Sequence, residues 1–318
     1  MPPCEGFLDR TGPQGRAGRP AAQARPRHGP TYAARVRETF DSLVFGASGP
    51  VGQALAVRLQ RGGEALALVS RQPRAGSARA RWFQCDLYAE AGGELPSTGR
   101  VYSAGPLDGF VRWCRRRRLL PGTRIVALSS TSAVVKRDSP DAVERALAQT
   151  LLDSERTLLA LGAERGCSVT LIRPTLIYGH GADRSLAQFV QIARRIGAVP
   201  LPARACGRRQ PVHADDLAAA MQACAGRADL AGRILTLPGG ETVAYREMVQ
   251  RQLDASVPGR RVWPVPGALL KPLLAIASIL SSRARRIAAQ LARAERDVVF
   301  PCDDWRELQL TPRAFRPE

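Results

Sequence analysis

Gly46, Gly49 and Gly52 punctuate the segment Ser42–Gly52, SLVFGASGPVG, where a short apolar run meets the amphipathic VGQALAVRL. That spacing suits capture of a diphosphate by main-chain amides. The first glycine permits a tight turn, the second lets backbone approach a pyrophosphate, and the third lets a helix pack on a strand. Ser48, Pro50 and Val51 complete the turn, and Pro50 fits a first helical turn, where its missing N–H costs nothing. The helix N-terminus then offers free N–H groups and a partial positive charge. The segment reads as a dinucleotide-binding turn. Further along lie side chains able to orient or protonate an oxygen: Ser130 and Thr131, Lys136, Tyr178, and His213 beside Asp215 and Asp216.

Short apolar runs must position these groups. After the glycine turn and its helix come ALALVS (65–70), ARWFQC (80–85), RVYSAG (100–105), RIVALSS (124–130) and VTLIRP (169–174). A long helical pattern over 140–165 carries Leu147, Leu151, Leu152, Leu158 and Leu159 on its apolar side. Short apolar strands alternating with longer helices predict an α/β fold, a doubly wound parallel sheet of Rossmann type. The Gly-rich connection 86–99 predicts an abbreviated crossover. Beyond residue 175 the pattern loosens: helices are expected over 184–196 and 214–225, a strand in RILTLPG (233–239) and a helix in TVAYREMVQRQL (242–253). Three regions follow. Residues 1–40 are a Pro- and Arg-rich extension expected to lack fixed structure, 41–180 the dinucleotide-binding domain, and 181–318 a smaller substrate lobe with segments returning to the main sheet.

Composition narrows the function. The 318 residues are 45% hydrophobic, ample for a core, and the formal net charge is +19. Only Lys136 and Lys271 are lysines, so the basicity is arginine in an Ala-, Gly- and Pro-rich chain and reads as a composition bias. Aromatic residues are 5%, thin for stacking on bases, and nucleic acid is not an expected partner. The seven cysteines show no CxxC pair and the three histidines lie far apart, so neither a metal site nor a disulfide framework is expected. Dispersed thiols suit a cytoplasmic protein. Residues 1–38 lack the apolar core of a secretory signal, and no run reaches the roughly 18 apolar residues that span a bilayer. At the end of the second predicted strand stand Ser70, Arg71 and Arg74, with no carboxylate nearby. Basic side chains there accommodate a ribose 2′-phosphate, so NADP is preferred to NAD, which stays open.

Four blocks in order, GASGPVG (46–52), SSTSA (129–133), RPTLIYG (173–179) and PVHADDLA (211–218), resemble the NAD-dependent epimerase/dehydratase group of the extended and atypical short-chain dehydrogenase/reductase superfamily. A fifth, LPGGETVAYREMV (237–249), resembles the C-terminal lobe of its nucleotide-sugar epimerases. The resemblance implies NAD or NADP across the C-terminal ends of the strands, with a nucleotide-linked sugar or similar polar metabolite as substrate. It implies that Asp86 and Leu87 contact adenine, and that Ala104, Ser129, Pro174 and Leu176 line the coenzyme. A homodimer is compatible with it.

That superfamily uses a Tyr-xxx-Lys pair on the helix after the fifth strand, the lysine readying the phenol to exchange a proton with a substrate hydroxyl. Counting back from Glu155, Leu147 and Leu151 occupy the two positions, and no tyrosine lies between 103 and 177. Neither leucine can transfer a proton. Three readings remain. In one, Thr131 and Ser130 orient the reacting oxygen while Lys136, Tyr178 or His213 meets substrate near the nicotinamide. In another, the protein binds a dinucleotide without turnover. In the last it is membrane-peripheral, through the apolar 266–280 and the arginine-studded 281–296; a buried helix with a basic outer face is preferred there.

Overall fold

Leu43, Val44 and Phe45 carry no polar atom on their side chains, and all three are buried in the first strand of the computed structural model. The structure describes residues 39–89, 93–181, 184–270, 272 and 282–318. The expected disordered extension thus falls, but for its last two residues, outside the described residues, as does most of the apolar stretch 266–280. Phe40 is described and stands edge-on to Phe83, ring centres 5.7 Å apart.

The strands are β1 (Ser42–Phe45), β2 (Leu66–Ser70), β3 (Ala80–Gln84), β4 (Arg100–Ser103), β5 (Arg124–Leu128) and β6 (Ser168–Pro174), then β7 (Ile177–Tyr178), β8 (Ala198–Pro202), β9 (Arg208–Arg209), β10 (Val212–His213), β11 (Ile234–Leu237), β12 (Val243–Ala244) and β13 (Arg261–Val265). Among the described residues seven of them form one parallel sheet in the order β3-β2-β1-β4-β5-β6-β11. Both faces of such a sheet are covered, which is why its strands read as nearly continuous apolar runs. Successive residues of β1 point to opposite faces. Val44 packs with Leu55 and Leu59 of α1 (Pro50–Arg61) and with Leu217 and Met221 of a later helix. Leu43 and Phe45 pack with Phe110 and Trp113 of α2 (Leu107–Arg116).

A one-turn helix α3 (Ser132–Val135) and the long α4 (Ala142–Glu164) follow β5. Asp141 caps α4 by accepting from the N–H groups of Val143 and Glu144. Next come α5 (Arg184–Ile196), α6 (Ala214–Ala225) and α7 (Tyr245–Ser256). The helix expected from Thr242 begins at Tyr245, because Val243 and Ala244 pair with Arg209 and Arg208 in a short antiparallel ladder. The strand expected to run to Ser130 stops at Leu128, where the Ser129 N–H turns to the Ile172 carbonyl. A third apolar cluster, with Phe189, Met248, Leu291 and Phe315, gathers residues from the C-terminal part. No described helix is long and apolar enough to cross a membrane.

Candidate functional site

The glycine turn has the geometry that a diphosphate cradle needs. Gly46 has a φ of +70°, and a Cβ there would lie 2.6 Å from the Ala104 carbonyl carbon, so β1 and the end of β4 approach closely. A Cβ at Gly52 would meet the Gly46 oxygen at 2.2 Å, which fixes α1 against the strand. Gly49 caps α1 in extended conformation, and no side chain satisfies the first amides of the helix. Those amides, at Val51 and Gly52, are the donors a bound phosphate would take. Pro50 opens the helix as expected.

At the tip of β2, Ser70 is buried and its Oγ accepts from the Gln72 N–H at 3.2 Å. Arg71 and Arg74 are exposed, and the Arg74 guanidinium lies 5.2 Å from the centre of the Trp82 ring. Asp86 accepts from the Tyr88 N–H at 2.9 Å and so orders its own turn, with Leu87 beside Gly109 of α2. The Ala104 N–H donates to the Phe45 carbonyl, closing the turn on its other side.

Past the ends of β5 and β6 a cleft of about 700 Å³ opens, walled by Ser129–Ser132, Lys136, Glu144, Pro174–Ile177, Arg209, Gln210, Tyr245, Gln290 and Arg293 among others. Its three leading hydroxyls differ in what they have left to give. Ser129 donates to Glu155 at 2.5 Å, and Glu155 in turn holds Arg173 through both carboxylate oxygens. Thr131 is buried and donates to the Pro174 carbonyl at 3.0 Å. Ser130 accepts from the Ser132 N–H, which leaves its own proton available.

Lys136 lies 3.4 Å from Glu144, which also accepts from Ser139 at 2.8 Å and from Arg293. Arg293 therefore reaches from the C-terminal part to the first turn of α4. Sequence reading missed both Glu144 and Arg293. The cap at Asp141 is a visible signal for where α4 starts, but nothing local joins Glu144 to a partner 149 positions away. Arg209 donates to the carbonyls of Arg208, Arg293 and Arg296, and its guanidinium lies 5.2 Å from the Tyr245 ring centre. Leu147 is 43% exposed on α4 and Leu151 half-buried; neither is part of the cleft wall.

Tyr178 and His213 sit side by side and largely enclosed. Tyr178 is fully buried, donates to the Ala314 carbonyl at 2.9 Å and meets the rings of His213 and Phe315 edge-on. The cap of α6 is His213, whose Nδ1 accepts from the Asp215 N–H at 3.1 Å, while Asp215 and Asp216 occupy the first turn. His180 Nε2 lies 2.7 Å from Asp215, so two histidines and an aspartate bring ligand atoms within 4.8 Å of one another. A cation on His213 Nδ1 would have to displace the helix cap. None of the six described cysteines forms a disulfide, and burial pushes the thiols of Cys85, Cys167 and Cys224 upward, the last to about 12.

With the glycine turn and the cleft both at the C-terminal edge of a parallel sheet, the architecture is a Rossmann-type α/β fold, and the candidate site lies where such sheets bind ligands. Solved structures share it. The epimerase Mth375 from Methanothermobacter thermautotrophicus is 15% identical with a TM-score of 0.65, over 88% of this chain and 89% of that one. MoeE5 in complex with UDP-glucose and NAD is 19% identical with a TM-score of 0.60, over 86% and 94%. RMD from Pseudomonas aeruginosa, complexed with NADPH, is 16% identical with a TM-score of 0.57, over 87% and 95%. A UDP-glucose 4-epimerase of Vibrio cholerae is 25% identical over 114 residues, 36% of this chain and 34% of that protein. The match thus spans about a third of the curated relative's length. No protein-family model matches the chain.

Proposed function

We propose that the protein binds NADP in preference to NAD and exchanges hydride between its nicotinamide and a nucleotide-linked sugar or related polar metabolite. The observation that carries this reading is the uncapped start of α1, set against the tightly packed Gly46 and Gly52, beside a cleft lined with hydroxyls and cations. These residues fit a dinucleotide: main-chain donors of α1 for the diphosphate, and Arg71 for a 2′-phosphate. When bound, the coenzyme supplies or accepts the hydride. The chain's own groups do the rest. Thr131, tied to Pro174, fixes the loop, and Ser130 presents its proton to the reacting oxygen. Lys136, Arg209 and Arg293 give the cleft a positive field for a phosphorylated substrate, and Glu144 keeps Lys136 and Arg293 in place.

A second reading, a coenzyme-binding module without turnover, is favoured by Leu147 and Leu151, which stand where the resembled enzymes exchange protons. Incubation of purified protein with NADPH deuterated at the nicotinamide C4 and a panel of nucleotide sugars separates the two. Hydride exchange predicts loss of reduced-nicotinamide absorbance, or deuterium appearing at a sugar carbon. Coenzyme binding with neither signal across the panel supports the module instead.

A further inference from the structure

Tyr245 opens α7 and is 3% exposed, yet its hydroxyl makes no hydrogen bond; Gln290 is close enough to act on the phenol, but the geometry falls short of a bond. Gln188 Oε1, from α5, is likewise buried without a partner. Both residues line the same cleft. Buried polar atoms in native proteins are nearly always paired, so two orphans on residues that line one cavity call for an explanation.

The surroundings of Tyr245 specify what would satisfy it. Burial pushes its phenol well above the ordinary tyrosine range, so the hydroxyl remains protonated and acts as a donor. The Arg209 guanidinium lies against its ring and Arg293 lines the same wall, so an acceptor oxygen placed there sits in a positive field. Arg209 directs hydrogen bonds of 2.6–2.8 Å to main-chain carbonyls, which hold its plane but leave its charge uncompensated by a hydrogen-bonded carboxylate among the described residues. Gln188 Oε1 is the complementary acceptor and suits a ligand hydroxyl. An anionic oxygen and a hydroxyl on one molecule describe a phosphorylated sugar.

We infer that Tyr245 is a substrate-binding residue, its hydroxyl donating to an anionic oxygen of a phosphorylated sugar while Gln188 Oε1 accepts from one of that ligand's hydroxyls. The inference rests on the reading of the cleft as a substrate site and adds two lining residues, from α5 and α7, to it. Tyr245 and Gln188 then hold the ligand, while Ser130 orients the oxygen that reacts.

The test is Tyr245→Phe, which removes one oxygen and keeps the ring. Calorimetry with UDP-glucose, in the presence of NADPH, and with inorganic pyrophosphate as a probe lacking the sugar, gives the affinities; a thermal scan without ligand gives the stability. The expected result is a loss of about ten- to a hundredfold in affinity for one or both probes, the range of a hydrogen bond to a charged group. NADPH affinity stays unchanged, and the unliganded protein melts at the same temperature or higher, because an unsatisfied buried hydroxyl has been removed. Equal probe affinities in the two proteins overturn the inference and leave the proposed function standing. A lower melting temperature in the variant also overturns it, since the hydroxyl would then have a partner within the fold. A wild-type protein that binds NADPH but neither probe overturns both the inference and the reading of the cleft.

Discussion

Which hydroxyl can serve a ligand is decided by where each one spends its proton. Ser129 gives its proton to Glu155 and Thr131 to Pro174, so Ser130 is the leading group with one to offer. The same reasoning separates the two arginines beyond β2. Arg74 lies over Trp82, whereas Arg71 is exposed and no carboxylate among the described residues pairs with it. Arg71→Ala is expected to weaken NADP binding about tenfold or more, as for a lost charge-assisted hydrogen bond, and to leave NAD binding within a factor of about two. Parallel titrations with the two coenzymes check it, and an equal loss for both would remove the 2′-phosphate contact. The glycine turn was legible in the sequence because each of its roles is local, a matter of φ and of the missing Cβ. The roles of Ser130 and Thr131 were not, because the Pro174 carbonyl that takes the Thr131 proton is 43 residues distant.

Elements with their own periodicity were easy to foresee, and those made by partners were not. The helices Arg184–Ile196 and Ala214–Ala225 fall where the apolar spacing placed them. The short β12 reads in the sequence as the start of α7, since two residues carry no periodicity and only pairing with β9 makes them a strand. α7 is tied to the chain's last stretch by an ion pair: Arg251 donates to both oxygens of Glu241 at 2.9 and 2.8 Å, and the Phe315 N–H donates to one of them at 3.0 Å. The Arg251 bonds hold the Glu241 carboxyl below its ordinary value. A folded-state value below the unfolded one means that the stabilisation is present above the unfolded pKa of about 4.3 and is lost as pH falls through the folded value. Glu241→Gln is therefore expected to cost about 1 kcal/mol or less near neutrality, given the partial exposure of the pair. That difference should begin to shrink as pH falls below about 4.3 and vanish only below the depressed folded-state value. Urea unfolding of both proteins across pH measures it, and a gap that widens in acid would refute the assignment.

At the scale of the molecule, residues 39–318 form one compact unit. The late strand β11 lies beside β6, Trp305 donates to the Pro238 carbonyl at 2.6 Å, and Phe315 is buried against Tyr178. These contacts join segments far apart in sequence, and for that reason the cleft's cationic wall, with Arg209 and Arg293, escaped a reading based on local spacing. The compactness also makes coenzyme binding measurable as a property of the whole fold, since a ligand bound only by the native state raises its stability by about 2.7 kcal/mol at a hundred times Kd. Thermal unfolding with and without NADPH, in the wild type and in Gly49→Val, tests the dinucleotide site most directly. Gly49 has a φ of −87° that valine accepts, and a Cβ there would lie 3.3 Å from the Gly46 carbonyl oxygen, a contact that a small shift relieves, so the variant should fold with its added side chain crowding the glycine turn. The expected result is a single transition that NADPH shifts upward in the wild type and leaves unmoved in Gly49→Val. A wild type indifferent to both NADPH and NADH, or a variant shifted as far as the wild type, would contradict it.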